Sequence, residues 1–572
     1  MTHAHMTGPL LQVENLQVAF STRHGVVNAL HGIDITLEGS ETLGIVGESG
    51  SGKSVTSLAV MRLLDRAGRI IGGRICFEGR DITQAGHADL RRLRGSALSM
   101  IFQNPRAALN PIRTVEQQIV DVLAAHDRLH GRLSRSSARA QALELLRAVL
   151  IRDPEARLSA YPHELSGGMC QRIMIAMAIA CEPALLIADE PTTGLDVTTQ
   201  QTVMELLARI KAERGMAMIL ITHDLGLAAR WCDRIVVMEA GRVVEQGATE
   251  RLFEAPAHSY TRRLVAASPT RHSTLADLAP DAPPVIPKPR EHKPGTPPLL
   301  ELVRVVKSFG GPTPAVNDVS FRIPPGGALG LVGESGSGKS TLSRLVCRLL
   351  DPDDGDIVFD GESIARIPAR EFHKSPQRRD IQIVFQDPND SLNPRHTAFD
   401  SIAHPLRRLE GLRNGTALRT RVRDAAARAG LPMDLLERFP HQLSGGQKAR
   451  VGIARAIAPS PRLMILDEPT AALDVSVQAV ILQLLDRLRR EEGIGLLFVS
   501  HDLNVVRMLC DDLVVLQAGK VMEAGPSQAI FQQPQTDYTR ALLEAVPYFD
   551  PQRRAVPLSS SAALVTAAAS CL

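Results

Sequence analysis

A glycine-rich segment of eight residues that occurs twice constrains this chain more than any other feature of its sequence. Residues Gly47–Ser54 read Gly-Glu-Ser-Gly-Ser-Gly-Lys-Ser, and residues Gly333–Ser340 repeat the same eight letters. The first copy follows the apolar run Thr42–Val46, which is typical of a buried strand that leads into a loop. Such a loop turns successive backbone N–H groups toward phosphate oxygens. The sequence therefore predicts two nucleoside-phosphate sites in one chain.

Both loops supply the same candidate ligands. Lys53 can reach the β and γ phosphates, and the Ser54 hydroxyl can bind Mg²⁺. The N-terminus of the following helix, predicted from Ser54 to Leu64, adds its partial positive charge. The predicted phosphate-binding residues are Gly47, Ser49, Gly50, Ser51, Gly52, Lys53 and Ser54 in the first copy and Gly333, Ser335, Gly336, Ser337, Gly338, Lys339 and Ser340 in the second, with Ser340 as the second metal-binding hydroxyl.

The spacing of the motifs that follow shows that one fold occurs twice. The offset between equivalent residues is 286 at the loop lysines (339 − 53) and 283 at Gln103 and Gln386 (386 − 103). It is then 278 from Ser166 and Ser444 (444 − 166) to the end of each copy. Small deletions of this kind belong in surface loops. Since continuous apolar runs suit parallel strands that are buried on both faces, we predict an α/β fold.

Each copy carries an acidic pair, a histidine and a glutamine in register, and these are the candidate catalytic groups. Asp189 ends an apolar run, where its carboxylate can hold Mg²⁺. Glu190 can then act as general base for the attacking water. His223 can contact the γ-phosphate, and Gln103 can contact Mg²⁺ or the water. The counterparts in the second copy are Asp467, Glu468, His501 and Gln386.

A Leu-Ser-Gly-Gly motif, at Leu165–Gly168 and again at Leu443–Gly446, resembles the signature of the ABC ATPases. The resemblance implies two tandem P-loop (RecA-like) ABC ATPase domains, each with a helical subdomain and an antiparallel β subdomain. It implies ATP and Mg²⁺, with head-to-tail halves in which the loop of one half faces the signature of the other. The implied signature residues are Ser166, Gly168, Ser444 and Gly446, and the implied adenine-stacking aromatics are Phe20 and Phe309.

Two more pairs of segments resemble the ATPases of dipeptide and oligopeptide importers. Phe102–Pro111 and Phe385–Pro394 share a Phe-Gln-(Asn/Asp)-Pro-x-x-x-Leu-Asn-Pro pattern. Each copy ends with a Tyr-Thr-Arg segment, at 260–262 and 538–540. The chain thus resembles the two ATPase subunits of such an importer fused into one. Many relatives carry a cysteine cluster beyond Tyr-Thr-Arg, but this sequence has none there, so we expect no iron–sulfur centre.

Proline content marks the predicted domain boundaries. The segment 268–298 holds nine prolines, which excludes a helix and indicates a semi-rigid spacer. The segment after Pro551 is rich in Ser and Ala, which indicates a frayed terminus. We predict a first ABC ATPase domain over 8–267, a linker over 268–298, a second ABC ATPase domain over 299–547 and a flexible tail over 548–572.

Composition limits the location and the partners. The net charge of +3 gives no support for a nucleic-acid-binding surface, and the seven cysteines show no Cys-x-x-Cys spacing. No run reaches the ~18 apolar residues of a membrane span, and the N-terminus has no apolar signal core. We expect a peripheral protein on the cytoplasmic face of the inner membrane. Its expected partners are two permease subunits and, indirectly, an extracytoplasmic solute-binding protein.

The resemblance implies the ATP-hydrolysing, energy-coupling subunit of an ABC importer for di- or oligopeptides or a related solute. One alternative is a soluble twin-ABC ATPase acting on ribosomes, which would need a long charged helical linker instead of a proline-rich one. A second is an importer ATPase for a non-peptide solute such as nickel or a sugar. A DNA-repair ATPase would need zinc-binding cysteines or a long coiled coil. The expected permease-docking surfaces lie between Gln103 and Ser166 and between Gln386 and Ser444.

Overall fold

The computed structural model describes residues 8–23, 25–130, 134–278, 297–311, 313–387, 391–471 and 473–548. The chain divides into two compact units, the first built mainly from residues up to 268 and the second mainly from 269–546. Each unit contains one six-stranded sheet and one four-stranded sheet. The predicted α/β class is therefore confirmed in both units.

The first unit is built around a six-stranded sheet in the order β10-β9-β3-β8-β7-β6, parallel except for β10. The antiparallel sheet β2-β1-β4-β5 is the predicted antiparallel β subdomain. The strands are β1 (Leu11–Thr22), β2 (Gly25–Leu37), β3 (Thr42–Val46), β4 (Gly68–Phe77), β5 (Arg80–Asp81), β6 (Leu98–Ile101), β7 (Leu185–Asp189), β8 (Ala217–Thr222), β9 (Arg234–Glu239) and β10 (Arg242–Ala248).

The helices of the first unit cover the sheet and form a separate helical layer. They are α1 (Lys53–Val60), α2 (His87–Leu93), α3 (Pro105–Ala108), α4 (Val115–His130), α5 (Arg135–Ala148), α6 (Pro154–Arg157), α7 (Gly167–Ile179), α8 (Val197–Arg214), α9 (Leu225–Trp231), α10 (Thr249–Glu254) and α11 (Ser259–Ala267). Helices α3 to α7 lie between β6 and β7 in sequence and form the predicted helical subdomain. Its core includes Ile119, Leu146 and Ile173, which are all fully buried.

The second unit repeats this plan, with a six-stranded sheet in the order β16-β17-β18-β13-β19-β20 and an antiparallel sheet β12-β11-β14-β15. Its strands are β11 (Leu300–Lys307), β12 (Val316–Ile323), β13 (Ala328–Val332), β14 (Asp354–Phe359), β15 (Glu362–Ser363), β16 (Ile381–Val384), β17 (Leu463–Asp467), β18 (Gly495–Val499), β19 (Asp512–Gln517) and β20 (Lys520–Pro526). Its helices are α12 (Lys339–Val346), α13 (Gln377–Asp380), α14 (Ala398–Leu409), α15 (Thr416–Arg428), α16 (Gly445–Ile457), α17 (Val475–Glu492), α18 (Leu503–Leu509), α19 (Ser527–Gln532) and α20 (Asp537–Glu544).

The helix after the first glycine-rich loop is shorter than predicted. Helix α1 ends at Val60, so the predicted extension to Leu64 is wrong. The chain leaves the helix at Arg62, which has a φ of 54°. The N–H groups of Met61, Arg62 and Leu63 donate back to carbonyl oxygens of the last turn, at 2.9, 3.0 and 2.7 Å, and so close the helix. The guanidinium of Arg94 holds the turn that follows by donating to the carbonyl oxygens of Met61 (2.9 Å) and Arg62.

Part of the predicted linker packs within the second unit. Residues from 269 onward belong to that unit, and Leu278 is buried. Arg507 donates to the carbonyl oxygens of Thr270 (2.9 Å) and Ser273 (2.8 Å). The rest of the linker, 279–296, and nearly all of the predicted tail, 549–572, lie outside the described residues. In the described ranges, no helix is both long enough and apolar enough to cross a membrane.

Candidate nucleotide-hydrolysis sites

The glycine-rich loop of each unit closes around its own lysine. Lys53 is buried, and its ammonium group donates to the carbonyl oxygens of Gly47 (2.7 Å) and Glu48 (2.8 Å). Gly47 has a φ of 150°, and a Cβ there would lie 2.2 Å from the Met238 carbonyl oxygen. Only glycine fits this position, because a side chain would meet backbone. Lys339 makes the same two contacts, with the carbonyl oxygens of Gly333 (2.7 Å) and Glu334 (2.8 Å).

A tyrosine from the last helix of each copy contacts the glycine-rich loop, and sequence reasoning missed this role. The hydroxyl of Tyr260 in α11 accepts from the Glu48 N–H at 3.0 Å. Tyr538 in α20 accepts from the Glu334 N–H at 3.3 Å. The sequence offered one indication of this role, because the Tyr-Thr-Arg segment recurs at the same offset as the catalytic motifs. The loop is therefore braced from the C-terminal end of each copy.

The first carboxylate of each acidic pair lies at the end of a sheet strand, where Asp189 is buried and Asp467 half-buried. The Ser54 hydroxyl donates to Asp189 Oδ1 at 3.1 Å. Burial, together with the neighbouring Glu190 carboxylate, raises the pKa of Asp189 to about 6. Burial also raises the pKa of Asp467, whose buried Oδ1 has no hydrogen-bond partner among the described residues. Because a hard cation prefers such carboxylate and hydroxyl oxygens, both positions fit Mg²⁺.

The second carboxylate of each pair belongs to a residue in the left-handed backbone region. Glu190 has a φ of 47° and Glu468 a φ of 48°. This conformation costs a residue with a side chain about 1–2 kcal/mol, so it persists only where the surrounding structure holds it. The Glu190 N–H donates to the Ile221 carbonyl oxygen at 2.9 Å, and the Glu468 N–H to that of Val499 at 2.9 Å. Backbone strain at these two positions is typical of a functional site.

The Glu190 carboxylate is held by the predicted glutamine and histidine. Gln103 Nε2 donates to Glu190 Oε2 at 2.7 Å, and His223 Nδ1 lies 3.3 Å from Oε1. Burial opposes ionisation, but hydrogen bonds from His223, Gln103 and Thr193 outweigh it and hold the pKa of Glu190 at about 2. Burial likewise opposes the charge on His223, yet its bond to Glu190 raises the pKa of the imidazole. The carboxylate of Glu190 is thus ionised at neutral pH.

The second unit repeats this arrangement with one difference. Gln386 Nε2 donates to Glu468 Oε2 at 2.7 Å, and His501 Nδ1 lies 3.3 Å from the same oxygen. In this unit too, burial opposes ionisation, but the hydrogen bonds and the positive charges of His501, Lys339 and Gln386 together outweigh it and lower the pKa of Glu468. The charge of Lys339 acts on the same glutamate, so the loop and the acidic pair lie close together.

The difference is a threonine that sequence reasoning missed. Thr193 Oγ1 donates to Glu190 Oε2 at 3.0 Å, whereas the equivalent residue of the second unit is Ala471 (193 + 278). The two turns have the same backbone: the Thr193 N–H donates to the Glu190 carbonyl oxygen at 3.2 Å, and the Ala471 N–H to that of Glu468 at 3.3 Å. A comparison of Pro-Thr-Thr-Gly with Pro-Thr-Ala-Ala would have shown the substitution.

Each signature serine caps a helix. Ser166 Oγ accepts from the Met169 N–H at 3.3 Å at the start of α7, and Ser444 Oγ accepts from the Gln447 N–H at 3.3 Å at the start of α16. In the second unit only, the Gln447 side chain accepts from the Ser444 N–H at 2.9 Å, which completes a capping box. Met169 has no group that can do this.

The remaining predicted ligands differ in exposure. Gly168 and Gly446 lie in the first turn of the signature helices. Phe20 lies in β1 and packs against the core of its unit, close to Gly68. Phe309 follows β11 and is 63% exposed, with the Lys307 ammonium 5.8 Å from its ring centre. The exposed ring of Phe309 is therefore available for stacking, and that of Phe20 is only partly so.

Comparisons with known proteins match this geometry. The family described as ABC transporter matches residues 30–193 and 316–471. The family described as oligopeptide/dipeptide transporter, C-terminal region, matches residues 244–295 and 522–572. The predicted resemblance to both is confirmed.

Full-length relatives show the same two-copy organisation over nearly the whole chain. The glutathione import ATP-binding protein of Salmonella choleraesuis (strain SC-B67) is 43% identical over 570 residues, which are 95% of this chain and 90% of that protein. The glutathione import ATP-binding protein of Escherichia coli (strain K12) is 43% identical over 578 residues, 96% of this chain and 91% of that protein. These matches favour the peptide-importer prediction over the ribosomal and sugar or nickel alternatives.

Proposed function

Because this chain belongs to the ABC transporter ATPases of the oligopeptide and dipeptide importer type, we propose that it drives the uptake of glutathione or a similar short peptide, using ATP and Mg²⁺ in both halves. Hydrolysis of ATP to power import is the activity of the family. The observation that supports the proposal most directly is a half-buried, ionised glutamate beside each lysine-centred phosphate loop. The relatives named for glutathione import support the choice of substrate.

The proposed roles follow from the contacts of each residue. The loop N–H groups and Lys53 or Lys339 hold the β and γ phosphates. Glu190 and Glu468 accept the proton of the attacking water, while the neighbouring histidine and glutamine orient the carboxylate. Mg²⁺, when bound, neutralises phosphate charge, and its proposed ligands are Ser54, Gln103 and Asp189 in the first half and Ser340, Gln386 and Asp467 in the second.

We also propose that each site is completed by the signature of the other half. Lys53 and Glu190 then pair with Ser444 and Gly446 to form site one. Lys339, Glu468, Ser166 and Gly168 form site two, and Phe20 and Phe309 stack on the adenines. This pairing is supported by the head-to-tail arrangement of the two halves that the family resemblance implies. The proposed domain boundaries are 8–267 and 299–547, with the linker 268–298 between the domains and the tail 548–572 after them.

The proposed partners are two permease subunits at the cytoplasmic face of the inner membrane, served outside by a solute-binding protein. Exposed apolar side chains next to the glutamine loops support docking there. Phe102 is 40% exposed, Phe385 is 41% exposed and Ile112 is 82% exposed. Exposed apolar side chains beside a functional loop are consistent with an interaction surface.

Uptake by cells that express the chain with its own membrane subunits tests the substrate proposal. We expect labelled glutathione to accumulate and unlabelled short peptides to compete with it. The double variant Glu190→Gln/Glu468→Gln should abolish accumulation while both nucleotides remain bound. Accumulation of a metal ion or a sugar in place of peptide would contradict the substrate, and uptake unaffected by the double variant would contradict the catalytic roles.

A further inference from the structure

The surface that follows the glutamine loop differs in charge between the two units. In the first unit, Ile112 is 82% exposed, and Arg113 pairs with Asp121 of α4 at 2.8 Å. At the offset of 283, the equivalents of positions 112, 113 and 121 in the second unit are Arg395, His396 and His404. An apolar residue and a neutralised ion pair are thus replaced by an arginine and two histidines.

Further basic residues surround these histidines. The rings of His396 and His404 lie 6.4 Å apart. Arg408, one turn beyond His404 in α14, is exposed and stands where the first unit has Ala125. We call Arg395, His396, His404 and Arg408 the basic surface.

A second layer of positive charge lies beneath the basic surface. Arg455 of α16, which donates to the Ser391 carbonyl oxygen at 2.7 Å, replaces Met177 of the first unit. Burial lowers the pKa of His404, and the charges of Arg408, His396 and Arg455 lower it further. The environment of that imidazole is therefore positive.

The nearby carboxylates do not neutralise the basic surface. Asp400 pairs with Arg407 at 3.2 Å. Glu410 pairs with Arg421 at 3.2 Å and with Arg379 at 3.4 Å. In the described part of the chain, the ion pairs include neither Arg395 nor Arg408. Among the described residues, the positive charge of the two exposed arginines is thus left for solvent ions or a partner to compensate.

We propose that the basic surface of the second unit binds an acidic segment of one membrane subunit, and that the equivalent surface of the first unit binds an apolar segment of a different subunit. The inference rests on the proposed importer function and specifies its partners. Charge complementarity selects the acidic occupant and excludes a basic one. An anionic lipid surface is typically bound by a cluster of four to eight basic residues, whereas this surface offers two exposed arginines, so a short peptide segment fits better.

Photo-cross-linking from single positions tests the partner chemistry. A photo-reactive residue replaces Arg395 or Ile112 in the full chain, expressed with the membrane subunits of its own transporter. We expect the cross-linked peptide from position 395 to contain Asp or Glu. The peptide from position 112 should be apolar and belong to another subunit. One shared segment, or a segment without acidic residues at position 395, would overturn the inference but leave the importer function intact. Failure of both positions to reach any membrane protein would contradict the importer function itself.

Charge reversal provides the second test. The variant Arg395→Glu/Arg408→Glu should lower recovery of the membrane subunits by about tenfold or more, with basal ATPase rate and thermal midpoint unchanged. The control Arg370→Glu, at a side chain 84% exposed, should have no effect. Substitution of the cross-linked acidic residues by Lys should restore recovery with the double variant. Unchanged recovery would contradict the inference, as would binding of the wild-type chain to phosphatidylglycerol-containing vesicles that the double variant loses.

Discussion

The two units hold the same catalytic groups but support them differently. The first unit places a threonine hydroxyl on its general base, Glu190, where the second has Ala471. The second unit closes a capping box on its signature serine, where the first has Met169. If Glu190 and the signature at Ser444 form one composite site, the Thr193 hydroxyl and the Gln447 capping box both belong to site one. Site two then has neither of these contacts. The two copies have therefore kept the same candidate catalytic residues while the residues that support them have diverged.

The largest expected effect separates the two general bases. Glu190→Gln and Glu468→Gln should each slow hydrolysis at their own site by about 10²–10⁴-fold, the typical value of general-base assistance. Because site one has both supports, Glu190→Gln should leave the lower residual rate. Steady-state ATPase measurements and quantification of trapped nucleotide check this. Equal residual rates would indicate equivalent sites, and a wild-type rate in either variant would contradict the assignment of that base.

The signature serines test the pairing of the halves. Ser444→Arg places a bulky cation where a small hydroxyl approaches the γ-phosphate, so hydrolysis at the Lys53 loop should be lost while nucleotide binding there remains. Ser166→Arg should act in the same way on the Lys339 loop. Alanine at either position is the matched control, because it removes the same helix cap at a cost of about 1 kcal/mol without adding charge. Full hydrolysis at the Lys53 loop in Ser444→Arg would contradict the composite site.

A reciprocal exchange at one position tests the smaller catalytic difference. Thr193→Ala removes a hydrogen bond to a charged group, worth about 1.5–3 kcal/mol at most, and its exposure to water reduces that value. We therefore expect kcat at site one to fall about threefold to tenfold with KM for ATP unchanged, since the hydroxyl does not contact the loop. Thr193→Ser should retain activity, and Ala471→Thr should raise the rate at site two. A change in KM instead of kcat would contradict a positioning role.

The capping box gives the smallest effect. Gln447→Met should remove the side-chain acceptor of the Ser444 N–H and lower the free energy of unfolding of the second unit by about 1 kcal/mol, or about 2–4 °C in Tm. Met169→Gln should gain less in the first unit, because Met169 already packs partly against its core. Thermal unfolding of each variant checks the sign. An unchanged midpoint in Gln447→Met would show that the box adds no stability.

The strands and the loops could be predicted from sequence because their signals are local. Thr42–Val46 is apolar after its first residue and buried throughout, and the glycine-rich loop follows at once. The end of α1 was predicted too late, because apolar residues continue to Leu64 although the backbone leaves the helix at Arg62, which has a φ of 54°. Thr193 was missed for a similar reason: its hydroxyl reaches Glu190 only through the shape of a turn. Local patterns were enough to predict the candidate reacting groups, whereas the residues that support them depend on the folded chain.

The tyrosine that contacts each glycine-rich loop has a practical consequence for dissecting the protein. A fragment that ends before Ser259 or Asp537 would retain every catalytic motif of its half and yet lose the hydroxyl that accepts from Glu48 or Glu334. The ATPase rate of such a fragment would reflect a loosened glycine-rich loop instead of the activity of an intact half. Expression boundaries, affinity tags and reporter fusions therefore belong beyond α11 and α20, where they leave the cradle intact.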